Sequence, residues 1–446
     1  MFLYYFDLAL RSFRSARGLT ALMVLTIAMG IGASMTTLTT FRALSGDPMP
    51  GRSGNLMRVQ LDTGEKETFV PGKEPDDQVT RFDAEALLRD KRAYRQAAMV
   101  GGSVSVEPAA GTPGALKPFT SSIRYTTTDF FPMFDVPFKY GGPWTSEDEA
   151  RAARQVVLSA TLNQRLFGGA NSVGQDVVIN GAQLRVVGVL DHWRPRPRFY
   201  MLAGSRNSGG DTGDFYGPTE DVFLPMTTGI DIAQADMQPF TCWSSGNIDF
   251  KHMMTQPCAW VGLWVELPTA AARDGFSRFL DDYDAQQRSI GRFPHPKLTR
   301  MLSLHEWLAF QQVIPADVKL QTWLAFAFLA ICLFNTVGLL LAKFIGRSNE
   351  IGVRRALGAS RGAIFRQCLV EAGLIGSIGG LFGLLFTVLG VVAIRHQPVA
   401  YADLVSVNIP LFLLALAIAL GASIIAGIFP ALRASRVAPA LQLKVQ

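Results

Sequence analysis

Histidine and cysteine are scarce in this sequence, and several loops that enzymes depend on are missing. Four cysteines in 446 residues exclude a disulfide-built scaffold. The five histidines, His192, His252, His295, His305 and His396, are scattered, with no H-E-x-x-H and no pair at helical ligand spacing, so no metal site is expected. Ser103 and Ser159 lack a G-x-S-x-G elbow. No G-x-x-x-x-G-K-[ST] occurs; GGANSVGQD (168–176) lacks the lysine that reaches nucleotide phosphates. Asp281, Asp282 and Asp284 crowd one predicted helix and read as a solvated acidic face. These absences leave no candidate catalytic residue and no cofactor bound directly.

Long apolar runs are what the sequence does have. About 20 apolar residues cross the roughly 30 Å hydrocarbon core, and four segments reach that length: 19–44, 318–342, 368–395 and 409–432. Three of the four crowd into the last third of the chain, which speaks against buried core helices. The fold class is therefore a membrane α-helical protein in a 1+3 arrangement with one large domain outside. The net charge of +6 is unevenly spread. The flanks 1–18, 343–366 and 432–446 carry +2, +5 and +3, and the rest carries −4. By the positive-inside rule those flanks are cytoplasmic, both termini included. The charge thus reports topology, and no nucleic-acid partner is expected. Residues 1–18 place Phe2, Tyr5, Phe6, Leu10 and Phe13 roughly on one face beside arginines, as in a helix lying in the lipid interface. The run after Gly18 is too long for a cleaved signal and reads as a retained anchor.

Residues 45–317 have ordinary mixed composition. NLMRVQL (55–61) and WVGLWVEL (260–267) read as strands, and FDAEALLRDKRAYRQA (82–97) has helical spacing. QVVLSATLNQRLFGG (155–169) reads as a strand and a glycine-stopped helix, and DVVINGAQLRVVGVLD (176–191) as a hairpin around Asn180-Gly181. An α+β domain follows, followed by a short outside loop at 396–408. Cys242 and Cys258 both fall in this domain, where an oxidising compartment favours a disulfide over two free thiols.

The segment 343–367 carries the most information. GRSNEIGVRRALGASRGAIFRQCLVEAG (346–373) is basic and amphipathic, whereas a mere anchor needs only charge. Gly358 offers a turn before the next helix. In the third span, Gly376, Gly379, Gly380 and Gly383 are close-packing sites for a partner helix. Glu371, just inside that span, is expected to pair with Arg366 or to snorkel.

NEIGVRRALGAS resembles the signature of MacB/FtsX-like ABC transporter permeases. YTTTDFFPMFDVPFKYGGPWT (125–145), the stretch 156–190, VFLPMTT (222–228) and FPALRASRVAPALQLK (429–444) are similar to further stretches of that family, in the same order. The resemblance implies a periplasmic domain of two lobes, porter-like (46–124 with 261–310) and inserted α/β (125–260). It implies an inner-membrane subunit whose coupling helix docks on a separate ATPase that uses ATP and Mg, since only 18 residues precede the first span. Glu350, Ile351, Gly352, Arg354, Arg355, Leu357 and Gly358 are the expected coupling residues, with Ile351 and Leu357 supplying the apolar contacts. Asn349 stands where the family often has Arg or Lys. Implied partners are a second permease protomer (the same or related), a periplasmic adaptor, an outer-membrane channel and membrane lipids. The implied role is to carry ATP-driven motion outward for export of peptides or antibiotics. Activation of a cell-wall hydrolase and release of lipoproteins are the family's alternatives.

Overall fold

The computed structural model describes residues 8, 16–72, 74–107, 117–204, 215–232, 237–243, 258–314, 316–399, 401–406 and 409–436. The expected interfacial helix over 1–18 lies almost entirely outside the described residues, as does the end of the tail from 437. The chain divides into two compact units, one of residues 1–45 with 314–446 and one of residues 46–313.

The first unit is helical. Its elements are α1 (Arg17–Leu44) and, after the other unit, α9 (Ala316–Gly346), α10 (Ser348–Ala356), α11 (Arg361–Arg395) and α12 (Ile409–Ser435). Among the described residues four helices are long and apolar enough to cross a membrane: α1, α9, α11 and the Leu416–Ser435 part of α12. On α1, Met23, Ile27, Ile31 and Met35 recur every fourth residue and are buried against Leu340, Phe344, Ile364, Cys368 and Ile375. The outer face of α9 leaves Leu320, Trp323, Leu324, Ile331 and Phe334 exposed, as side chains facing lipid are.

In the second unit the chain order is β1 (Leu56–Gln60), β2 (Val79–Thr80), α2 (Arg81–Arg89), β3 (Arg95–Glu107), β4 (Phe119–Thr126), α3 (Phe130–Met133), β5 (Phe138–Gly141), α4 (Ser146–Ala150) and β6 (Gln155–Leu158). It continues through α5 (Ala160–Phe167), β7 (Asp176–Ile179), β8 (Ala182–Leu190), β9 (Val222–Pro225), α6 (Met226–Ile232), β10 (Met237–Gln238), β11 (Thr241–Cys242), β12 (Cys258–Glu266), α7 (Ala270–Ser289), β13 (Arg300–Ser303) and α8 (Leu304–Phe310). Caps fix the helices: Thr80, Ser159 and Thr269 each accept a hydrogen bond from the backbone N–H three residues on. Asn180 and Gly181 adopt φ of 47° and 76°, the left-handed pair that a two-residue hairpin turn needs.

Two expectations are corrected here. The helix expected over 82–97 stops at Arg89, and Arg95 onward becomes strand β3, because pairing with β12 outweighs local helical spacing. The strands of both expected lobes also join one hydrogen-bonded sheet, ordered β13-β1-β12-β3-β4-β9-β6-β8-β5. Parallel pairing of β4 with β9, Ile123 opposite Val222, carries the sheet across the expected boundary, so 46–124 with 261–310 is not built apart from 125–260.

Candidate functional site

The segment between the second and third long helices is ordered by its own sequence. Arg347 caps α10, and Glu350 sits in its first turn, where the positive end of the helix dipole favours a carboxylate. The helix ends at Leu357. Gly358 then takes φ +101°, and the N–H groups of Gly358 and Ala359 close back on the carbonyls of Arg355 and Arg354 at 3.2 and 3.1 Å. Ser360 immediately caps α11, its hydroxyl accepting from the Ala363 N–H at 3.2 Å.

Charged side chains tie α10 to the helices around it. Glu371 on α11 is 2 % exposed. Lys343 Nζ on α9 lies 2.6 Å from Glu371 Oε1 and also donates to Thr20 Oγ1 on α1 at 3.0 Å. Arg347 stands 3.5 Å from the second Glu371 oxygen and donates to Glu350 Oε2 at 2.8 Å. Arg354 donates to Glu350 Oε1 at 2.6 Å and to Gln367 Oε1 on α11 at 3.2 Å. Arg355 donates to the Ser435 carbonyl at the end of α12 at 3.4 Å. The line therefore runs from a buried pair, where losing one partner is costly, to a half-exposed pair worth under about 1 kcal/mol. Glu371 pairs with Lys343 and Arg347, not with Arg366, which donates to the Gly362 carbonyl. Five residues along a helix is a turn of about 140° beyond a full circle, so Arg366 and Glu371 look in different directions.

The expected coupling residues separate into two groups. Glu350, Arg354 and Arg355 join this network. Ile351 and Gly352 are buried in the chain's own core, which corrects Ile351 as a contact for a partner. Ile351 and Leu357 are six residues apart and cannot share a face of one helix. The free apolar surface is Val353 and Leu357, one turn apart and 52 % and 83 % exposed. Val353 was legible from that spacing and was missed.

The glycines of α11 also find their partner inside the chain. A Cβ on Gly379 would meet Ile27 Cγ2 at 2.8 Å, and one on Gly383 would meet Ile31 at 2.9 Å. A Cβ on Gly390 would meet Thr36 at 2.5 Å, and from the other side a Cβ on Gly32 would meet Phe386 at 2.6 Å. The close-packed partner of Gly379 and Gly383 is thus α1, with Gly376 and Gly380 buried on the same helix.

In the 46–313 unit, Cys242 and Cys258 are bonded across neighbouring antiparallel strands β11 and β12. The residues between them from 244 to 257 lie outside the described residues. Asp284, expected on a solvated face, is buried and accepts from Arg288 and Thr299. Among the described residues, no group of three or more His, Cys, Asp or Glu is placed to hold a metal.

Residues 20–274 match the MacB-like periplasmic core domain, and residues 323–439 match the FtsX-like permease C-terminal domain. The macrolide export ATP-binding/permease protein MacB of Azoarcus sp. (strain BH72) is 25 % identical over 98 % of this chain and 58 % of its own length. A protein of the same name, MacB 1/2, from Paracoccus denitrificans (strain Pd 1222) is 24 % identical over 98 % of this chain and 56 % of its own. The chain spans about half the length of these curated relatives. A crystal structure of the periplasmic region of MacB from Actinobacillus actinomycetemcomitans aligns at 14 % identity over 61 % of this chain and 97 % of that one, with a TM-score of 0.36.

Proposed function

The chain belongs to the MacB/FtsX-like family of ABC transporter permeases, and from that premise we propose that it carries motion from a separate ATPase in the cytoplasm to its periplasmic core domain. The observation that carries this reading is Arg347, which touches both Glu350 on α10 and Glu371 on α11. A force applied to the short helix would reach a membrane-spanning one through these ion pairs. α10 docks on the ATPase through Val353 and Leu357, with Arg354 and Arg355 at the rim. ATP and Mg belong to that partner. The work done is export of peptides or antibiotics from the periplasm, in the inner membrane with both termini cytoplasmic. A second protomer completes the permease, and an adaptor and outer-membrane channel complete the route.

Leu357→Asp tests the docking. Truncating an interface anchor costs upwards of about 2 kcal/mol, so the variant, co-expressed with its ATPase, should lose co-purification or lose transport-coupled hydrolysis while the core domain stays folded. Arg361→Ala should be mild. Full recovery of active, substrate-responsive ATPase with Leu357→Asp would show that the segment only anchors the chain.

A further inference from the structure

Across one face of the core-domain sheet, four strands carry a row of residues of unusual composition. Arg58 on β1 lies opposite Trp264 on β12; two residues back on β12, Gly262 lies opposite Met99 on β3; and two residues on along β3, Gly101 lies opposite Arg124 on β4. Strand alternation puts all of them on the same face. The two glycines make room for the two arginines. A Cβ on Gly262 would stand 2.6 Å from Arg58 Nη1, and one on Gly101 would stand 3.3 Å from Arg124 Nη1. The guanidinium groups therefore reach inward over a floor of bare backbone and line a cavity of about 520 Å³.

Not every charged donor around this cavity is matched among the described residues. Arg58, Arg124 and Arg198 face it and are 2 %, 3 % and 7 % exposed, and among the described residues Glu220 is the carboxylate in its wall. Glu220 accepts from Arg124 and from the Tyr200 hydroxyl at 2.9 Å, with Arg198 3.8 Å away. Arg58 donates one bond, at 2.6 Å, to the carbonyl of Asp77, and stacks over Trp307 at 5.0 Å. Its Nε and Nη1, and the Nε of Arg124, are buried with no acceptor among the described residues. Burial lowers the Arg58 guanidinium to about 10, with Asp77 opposing and Arg124 adding to the fall. A buried donor on a charged group left without an acceptor is costly, and a planar guanidinium is shaped for the two oxygens of a carboxylate or phosphate.

We infer that this cavity binds an organic anion, its carboxylate or phosphate held between Arg58 and Arg124 and its apolar body against Met99 and Pro239. The volume is that of a site for a small molecule. The site lies wholly within the core domain and stands independently of the coupling reading.

Full-length protein in detergent micelles, titrated with inorganic phosphate and with hexanoate against sodium chloride at matched ionic strength, tests it by calorimetry and thermal unfolding. At least one of the two anions should bind saturably and raise Tm, and which one does so identifies the group. Arg58→Gln, with its fold checked by circular dichroism, should weaken that binding at least tenfold, and Arg124→Gln likewise. Arg185→Gln, an exposed arginine on β8, should change nothing. Arg58→Lys, which keeps the charge and loses the planar fork, serves if Arg58→Gln does not fold, and should weaken binding as well. Binding of neither anion, or equal binding by wild type and the Arg58 variant, overturns the site.

Discussion

The buried charges between the membrane helices and those in the core domain are handled in opposite ways. At the end of the membrane unit Glu371 is met by Lys343 and Arg347, and the remaining Arg347 donors go to Glu350. In the core domain donors of Arg58 and Arg124 are buried in the cavity wall and, among the described residues, find no acceptor. A third arrangement lies at Glu149, a mostly buried carboxylate that accepts a hydrogen bond from the Thr128 N–H at 2.9 Å. A closed network leaves no buried charge unmatched. An open one is incomplete until something enters it.

The largest expected effect is on the closed network. Glu371→Ala or Lys343→Ala strands a buried partner and should cost about 3–5 kcal/mol, read as a fall in thermal stability in detergent. Lys343→Met combined with Glu371→Leu should recover much of it, and a double variant no better than the singles would break the idea that charge matching is what matters there.

Next comes Glu149, whose pKa burial raises to about 7 against the opposing pull of the Thr128 N–H. A carboxyl raised on folding adds nothing unfavourable below pH 4.5, where it is protonated in both states. Its charged form then destabilises the fold increasingly as pH climbs toward 7. Between those values the protein should lose up to about 2 kcal/mol through this group. Glu149→Gln should flatten that part of the stability–pH curve; an unchanged slope would show that the carboxyl is not held neutral.

The smallest effect is at the open cluster. Without ligand, Arg58→Met keeps the packing on Trp264 and Trp307 and removes an unbalanced charge. Stability should stay within about 1 kcal/mol or rise, measured by the same unfolding. A loss as large as that at Glu371 would make Arg58 a structural cation and erase the contrast.

The sequence showed these regions unequally. The four apolar helices, the Asn180-Gly181 hairpin and the helix–glycine–cap order of Arg347 to Ser360 were readable because each is written in neighbouring residues. The partners of Glu371 were not, because Lys343 precedes it by 28 positions and only helix packing brings them together. The strand at 55–61 was readable, but not that β1 is buried on both faces, Arg58 included. Nothing local announces that β13 and β12 enclose it. The glycines of α11 did announce close packing. Their partner was also legible, since Ile27 and Ile31 on α1 repeat at the same spacing of four, but the match had to be sought across the whole length of the core domain.

That seam between α1 and α11 sets a rule for movement. Ile27 and Ile31 sit opposite Gly379 and Gly383 like teeth in a rack, each held by a notch one helical turn from the next. A slide of half a turn would drive both isoleucines out of their notches at once, and the next resting position is a full turn away, about 5.4 Å. Small displacements therefore cannot be absorbed by slippage at the seam. The seam thus holds α1 and α11 in register, and the chain leaves α1 at Leu44 for the core domain and returns from it into α9.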